Sequence, residues 1–281
     1  MKNLLVNKKY FGVRKRLPLS REELFACATL LKVRLPINRN PRFSTPVYSG
    51  KNQPMNGILN IDKPAGITSF DVVRKIRYLT GVKKVGHSGT LDPFATGVLL
   101  VFVGRETTKH ISKFSNLDKE YYAKVKFGEK TDTADLTGKV IKRKPIPELS
   151  ISQIESVCQN FIGKIQQIPP MYSAIKKDGI RLYKLARKGN TIEREPRRVE
   201  IKELELLEYN KPFLKFSSVV SKGTYIRTLA EDIAEKLGTI GHLVELRRMG
   251  IGKFSVENAL NFNKLTTKIV QENIEKDLFL F

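Results

Sequence analysis

The chain beyond residue 55 predicts a mixed α/β (α+β) domain, and three observations carry the prediction. Apolar or alternating runs of strand length recur at residues 57–61, 98–103, 121–127, 198–207 and 213–220, bounded by turn-forming residues. Between them lie stretches with apolar residues at helical spacing and capping signals at their starts. The two kinds of segment are interspersed irregularly rather than in strict βαβ alternation.

Taken in order, residues 57–61 read as a short buried strand. Thr68 or Ser69 caps a helix whose apolar positions include Phe70, Val73 and Ile76. A Gly-rich loop over 86–97 leads into the strand 98–103, the longest apolar run in the chain and far short of the roughly 20 residues that span a bilayer. Residues 121–127 alternate like a strand and precede a polar loop over 128–138. Ser152 and Glu155 have the spacing of a capping box that opens a helix reaching Phe161, with Ile168-Pro169-Pro170 breaking it off. Two further strands follow at 198–207 and 213–220. Thr224 caps a last helix with Leu229, Ile233 and Leu237 on one face, and Gly238 stops it.

Charge is the most informative part of the composition. The 281 residues carry 51 Lys+Arg against 28 Asp+Glu, a net charge of +23. Such an excess points to a polyanionic partner, most often nucleic acid, with a merely basic surface or a membrane-surface binder as alternatives. A hydrophobic fraction of 41% excludes wholesale disorder. Cys27 and Cys158 cannot build a disulfide framework, which favours a reducing compartment. Two scattered cysteines and 3 histidines also argue against a structural zinc site. Residues 1–54 hold 12 Lys+Arg and 2 acids, a net +10, leaving +13 for the remainder. They read as an appendage, with one amphipathic helix over about 21–34 behind a Ser20–Glu23 capping box and then a linker containing four prolines. An organelle-targeting segment, an extra RNA-binding arm and sequence upstream of a working start at Met55 are the readings open to it.

The densest unusual stretch is Gly86-His87-Ser88-Gly89-Thr90-Leu91-Asp92-Pro93-Phe94-Ala95-Thr96-Gly97. Its glycines and proline permit a tight backbone that approaches a ligand closely. Asp92, alone between Leu91 and Pro93, serves as a nucleophile or base if neighbours orient it. By composition alone a plain Asp-Pro turn is the commoner outcome, and His87 reads equally as a backbone-bonded loop histidine.

This stretch resembles the catalytic signature of the bacterial tRNA pseudouridine synthase B family, and it does not stand alone. Asn60-Ile61-Asp62-Lys63-Pro64-Ala65-Gly66-Ile67-Thr68-Ser69 is similar to that family's opening Lys-Pro motif. Lys119-Glu120-Tyr121 with residues 128–138, the block from Pro169 to Arg187, and Ser221-Lys222-Gly223-Thr224-Tyr225-Ile226-Arg227 with Leu246-Arg247-Arg248 follow in the family's order. The resemblance covers residues 55–263 or so.

The resemblance implies a central mixed, mainly antiparallel sheet flanked by helices. It implies a catalytic domain over 55–265 and a short tail over 266–281. The family usually adds a C-terminal PUA domain, and the 27 residues after Phe254 are too few for one. The implied activity is isomerisation of uridine to pseudouridine at position 55 in the T loop of tRNA, with no metal and no cofactor. Asp92 is then the nucleophile, with attack at C1′, attack at C6 and assistance to glycal formation all open. Arg227 pairs with it, and Tyr121 packs on the uracil and is the candidate acceptor of the C5 proton. Leu246 lines the base pocket, Tyr225 lies beneath the base, and His87 fills the space the flipped base vacates. Lys63, Lys176 and Arg181 are expected to contact RNA. The expected partner is the tRNA T arm, engaged by a cytoplasmic monomer away from any membrane, unless residues 1–54 direct it to an organelle. A guide-RNA-dependent pseudouridine synthase and a non-catalytic RNA chaperone on the same fold are the rival readings.

Overall fold

The computed structural model describes residues 55–274 apart from Asp178. The helix and linker expected within 1–54 lie outside the described residues. The first half runs β1 (Gly57–Lys63), α1 (Ser69–Thr80), β2 (Val85–His87), β3 (Thr96–Val103), α2 (Arg105–Thr108), α3 (Ile111–Ser115), β4 (Lys119–Phe127), β5 (Glu129–Thr131) and β6 (Val140–Arg143). There follow α4 (Ile151–Gln159), β7 (Gly163–Gln167), β8 (Lys176–Lys177), β9 (Ile180–Arg181), α5 (Leu182–Ala186), β10 (Arg197–Asn210) and β11 (Phe213–Val220). The described chain finishes with α6 (Ile226–Lys236), β12 (Gly241–Ile251), β13 (Phe254–Ser255), β14 (Leu260–Asn261) and α7 (Thr267–Asn273).

Ten strands form one sheet in the order β14-β1-β3-β12-β4-β11-β10-β7, with β2 also on β3 and β13 also on β12. Only the β1–β14 and β3–β12 pairs are parallel, so the sheet is mixed and mainly antiparallel. The apolar run of β3 has a physical reason: both its faces are buried. Leu99, Val101 and Val103 pack with Leu59 and Ile61 against Val73 and Ile76 of α1. Val98, Leu100 and Phe102 meet Phe114, Ile251 and Phe254 on the other side. A third cluster joins Ala123, Val125 and Phe127 of β4 to Leu214 and Phe216 of β11 and to Leu229 and Ile233 of α6. At the β3–β12 junction the backbones touch, and a Cβ at Gly97 (φ +106°) would strike the Arg248 carbonyl.

Of the two cap candidates, Thr68 caps α1, its hydroxyl accepting from Asp71 N while the Asp71 carboxylate accepts from Thr68 N. Several other expected details change. Phe70 does not join the core: Ser69, Val72, Val73, Ile76 and Thr80 form the buried stripe, and Phe70, one step round the helix, is 53% exposed. The capping box of α4 is Ser150 with Gln153 rather than Ser152 with Glu155. Two Ser-x-x-acid/amide frames overlap there, and only Ser150 has the extended backbone a cap requires. The helix ends at Gln159, and β7 intervenes before Pro169. Thr224 does not cap α6, because its hydroxyl donates to Ser221 O. Tyr225 is the cap residue, and Gln167 clamps its backbone from both sides, accepting from Tyr225 N at 2.7 Å and donating to Tyr225 O at 3.2 Å. The segment after 265, expected as a tail, carries α7, whose Val270 packs fully buried with Val72, Val73 and Ile76.

Lys63 also corrects an expectation. Its side chain is fully buried, so it cannot touch RNA. The ammonium donates to Pro64 O at 2.8 Å, Ile67 O at 2.9 Å and, more loosely, Pro93 O at 3.4 Å, tying the end of β1 to the 86–97 loop. Burial lowers its pKa to about 8, with the Asp92 charge opposing the shift and Arg248 adding to it.

Two stability predictions follow from this packing. Val270→Ala should cost about 2 kcal/mol in urea unfolding, whereas Lys268→Ala, at a side chain 84% exposed, should stay within about 0.5 kcal/mol of wild type. Equal effects would show that α7 adds nothing to the core. For Lys63, the unfolded amine titrates near 10.5 and the folded one near 8. Between those values the unfolded chain holds the extra proton, so this group adds stability as pH rises across that window. The advantage of wild type over Lys63→Met should therefore grow between about pH 7.5 and 10, by at most about 3 kcal/mol. An advantage that is flat or shrinks across that range contradicts the burial of the amine.

Candidate functional site

Asp92 sits on a loop fixed at several points. The Ser69 hydroxyl, at the start of α1, accepts from Leu91 N at 2.9 Å and donates to Leu91 O at 3.1 Å. Gly66 N donates to Pro93 O at 2.8 Å, and Ala95 N to Asp92 O at 3.1 Å. These bonds hold the residues flanking Asp92 on both sides, so the carboxylate projects from a rigid turn.

The carboxylate meets Arg227 in the first turn of α6. The guanidinium Nε lies 2.9 Å from Oδ2 of Asp92, and Nη2 donates to Oδ1 at 3.3 Å. Two more donors are used: Nη1 on Thr133 O and Nη2 on Tyr172 O, each at 2.8 Å. A second carboxylate, Asp135, lies 3.8 Å from Nη1. Asp135 is itself held by the Thr133 hydroxyl and by the Thr137 amide and hydroxyl. The left-handed turn at Ala134 (φ +59°) and the Leu243 N–Ala134 O bond seat this cluster against β12. Arg227 is 3% exposed, whereas the Asp92 side chain keeps 32% of its surface open to the cleft. Burial pushes the Asp92 pKa up, Arg227 pulls it back down, and the like charge of Asp135 adds to the rise.

The pair lies in a cleft of about 1490 Å³. Tyr121, Leu246, Tyr225 and His87 all line it, as the sequence groups them. Tyr121 of β4 and Leu246 of β12 are both buried and supply apolar wall. Tyr122 takes the opposite face, as strand alternation requires. His87 Nδ1 accepts from Gly89 N at 3.3 Å, which leaves the ring proton on Nε2. Burial and the nearby Arg248 charge lower its pKa, so the ring is neutral at pH 7. Arg181 reaches the cleft wall, while its hairpin partner Lys176 is exposed on β8 outside that wall. Arg197, Arg198 and Lys222 add cations along the rim.

Sequence reasoning missed the residues that brace the site. Ser69, Asp135 and Gln167 act through hydrogen bonds that no local pattern reveals. Arg248 was quoted only as part of a motif. It is 1% exposed, and its guanidinium donates to Val98 O at 2.7 Å, Gly89 O at 3.3 Å and, at the limit of a hydrogen bond, Tyr121 Oη at 3.5 Å. It links the strand bearing Leu246, the Asp92 loop and the Tyr121 phenol. The assembled site presents a fixed carboxylate on an arginine fork, apolar walls for a flat ring and a cationic rim. That arrangement suits covalent or electrostatic work on a nucleoside drawn into the cleft.

Comparison with known proteins agrees with this geometry. The profile described as TruB family pseudouridylate synthase (N terminal domain) matches residues 77–226, and the tRNA pseudouridylate synthase B C-terminal domain matches residues 227–280. A tRNA pseudouridine synthase B of Clostridium tetani is 48% identical over 220 residues, covering 78% of this chain and 76% of the relative. One of Francisella philomiragia is 49% identical over 212 residues, covering 75% and 70%. Among solved structures, a chain of a Cbf5–Nop10–Gar1 complex superposes with a TM-score of 0.60 at 30% identity, covering 78% of this chain and 57% of that one. This chain therefore spans a little over half of that structural relative. With its loop, arginine fork and mixed sheet in place, the chain belongs to the TruB family of pseudouridylate synthases.

Proposed function

We propose that the protein isomerises uridine to pseudouridine at position 55 in the T loop of tRNA, acting as a cytoplasmic monomer without a guide RNA. The observation that carries the proposal is the Asp92–Arg227 fork opening into a cleft walled by Tyr121 and Leu246. The names of the relatives supply the tRNA substrate.

The reaction breaks the N1–C1′ bond, turns the uracil, joins C5 to C1′, and moves a proton from C5 so that N1 ends protonated. Asp92 supplies the anionic oxygen at the reacting centre. Burial favours the neutral carboxyl, and Arg227 opposes that shift while fixing both oxygens. Tyr121 and Leu246 hold the detached ring between apolar surfaces so that it rotates without leaving. The Tyr121 hydroxyl, with Arg248 beside it, is our candidate for relaying the C5 proton, passing its own proton to water or on to N1 as it takes up the one from C5. A loop uridine must first be flipped out at a cost of a few kcal/mol, and the neutral His87 ring takes its place in the stack. Lys176, Arg181 and the rim arginines take the phosphates, which makes binding salt-dependent.

An unmodified tRNA transcript mixed with the protein alone should acquire pseudouridine at position 55. Asp92→Asn should lose at least about a thousandfold in rate while still binding RNA. Arg227→Lys, which cannot grip both carboxylate oxygens, should lose about a hundredfold. Equal activity of Asp92→Asn and wild type removes the proposed nucleophile. A second reading rests on the similarity to the Cbf5-containing structure: product formed only when a guide RNA is added would favour guided modification. RNA binding with no product under either condition would favour a chaperone.

A further inference from the structure

We infer that Phe70 is a stacking platform for an unpaired nucleobase at the mouth of the cleft, a second base-binding position separate from the pocket around Asp92. The inference rests on the proposed RNA substrate and adds a contact to it. Its physical basis is a large apolar ring where the fold has no use for one. The buried stripe of α1 is complete without Phe70, and the ring stays 53% exposed. It is nonetheless part of the cleft wall, together with Thr68, His87 and Leu91.

The surroundings suit a base better than they suit a protein partner. Phe70, Arg74 and Arg77 follow one another at i, i+4 and i+7 along one stripe of α1. Each guanidinium carbon lies 5.6 Å from the ring centroid. Arg77 is anchored by donating to Val85 O at 3.1 Å, so the ring rests against a fixed cation. Arg74 is paired with Asp71 at 3.0 Å but remains exposed, free to turn towards a phosphate. The N-terminus of α1 offers no competing anion site, because the Asp71 carboxylate occupies its capping box. An exposed aromatic face beside cations, on the wall of a basic cleft, is the pairing by which proteins hold single-stranded bases without reading their sequence. A purely structural role, in which the ring shields the arginine stems, predicts no response to bases.

The chain contains no tryptophan, so Phe70→Trp installs a single fluorescent reporter at the site. In an Asp92→Asn background, titration with an unmodified T-arm stem–loop RNA should quench that emission, whereas heparin, a polyanion without bases, should bind and leave it unchanged. Phe70→Ala in the otherwise native enzyme should raise KM for the transcript about tenfold, with a smaller change in kcat, and Phe70→Trp should restore it. RNA binding without quenching, quenching equal to that by heparin, or an unchanged KM for Phe70→Ala would each overturn the platform. Pseudouridine formed by the native enzyme alongside any of those results would leave the proposed activity standing. Quenching in the Asp92→Asn titration together with no product from the native enzyme would support the platform and count against the activity.

Discussion

The structure depends on one buried guanidinium. Arg227 occupies the first turn of α6, where the positive end of the helix dipole disfavours a cation. It also lies almost wholly out of water, which costs several kcal/mol unless the charge is paired and its donors find acceptors. Both needs are answered when three separate segments converge: the Asp92 loop, the Thr133–Asp135 turn and the Tyr172 carbonyl. Displacing any of them leaves a buried charge or donor without its partner. The fold is thereby coupled to the geometry of its own reactive group.

The braces behind this fork explain why Asp92 is precise and not merely present. α1 contributes Ser69 and the Lys-Pro turn contributes Lys63, so β1 and α1 together grip the Asp92 loop from behind. Gln167, at the end of β7, fixes the backbone from which α6 starts and therefore where Arg227 begins. Misplacement by about 1 Å at a reacting centre can cost a hundredfold in rate. The rigid supports belong to strands and helix termini, while the exposed β8–β9 hairpin belongs to the cationic outer wall.

What the sequence made legible follows the range of the interactions concerned. Strand 213–220 and the apolar run of β3 were readable because both patterns are local. The pairing of Asp92 with Arg227 came from resemblance and is now visible as geometry. Other features needed the tertiary fold. Lys63 looks like any basic motif residue until three carbonyls are seen to enclose it. Two overlapping Ser-x-x frames cannot be ranked without the backbone angles at Ser150 and Ser152. Thr224 has a capping side chain by type, but its hydroxyl is committed to Ser221, and the amide of Gln167 holds the backbone of the cap residue Tyr225. The core role of α7 depends on a groove beside α1 that is remote in sequence. Phe70 has helical spacing with Val73, yet the buried arc already closes without it.

The electrostatics of the cleft divide by depth. Burial lowers the pKa values of Lys63, His87 and Lys119, and the charge of Arg248, itself buried and donating to carbonyl and phenol oxygens, adds to all three shifts. Burial, with this positive floor beneath it, disfavours the charged form of the His87 imidazole, so in the proposed reaction His87 contributes a flat ring and a single N–H rather than a charge. In the same proposal the cations that answer to phosphate are those on the rim, where water still screens them. Salt should therefore act on the capture of RNA at the rim far more than on the Asp92–Arg227 fork, whose partial dehydration shields it from mobile ions. Under the proposed reaction, a site divided in this way would gather its substrate by charge and select the reacting base by shape, with the two tasks assigned to different residues.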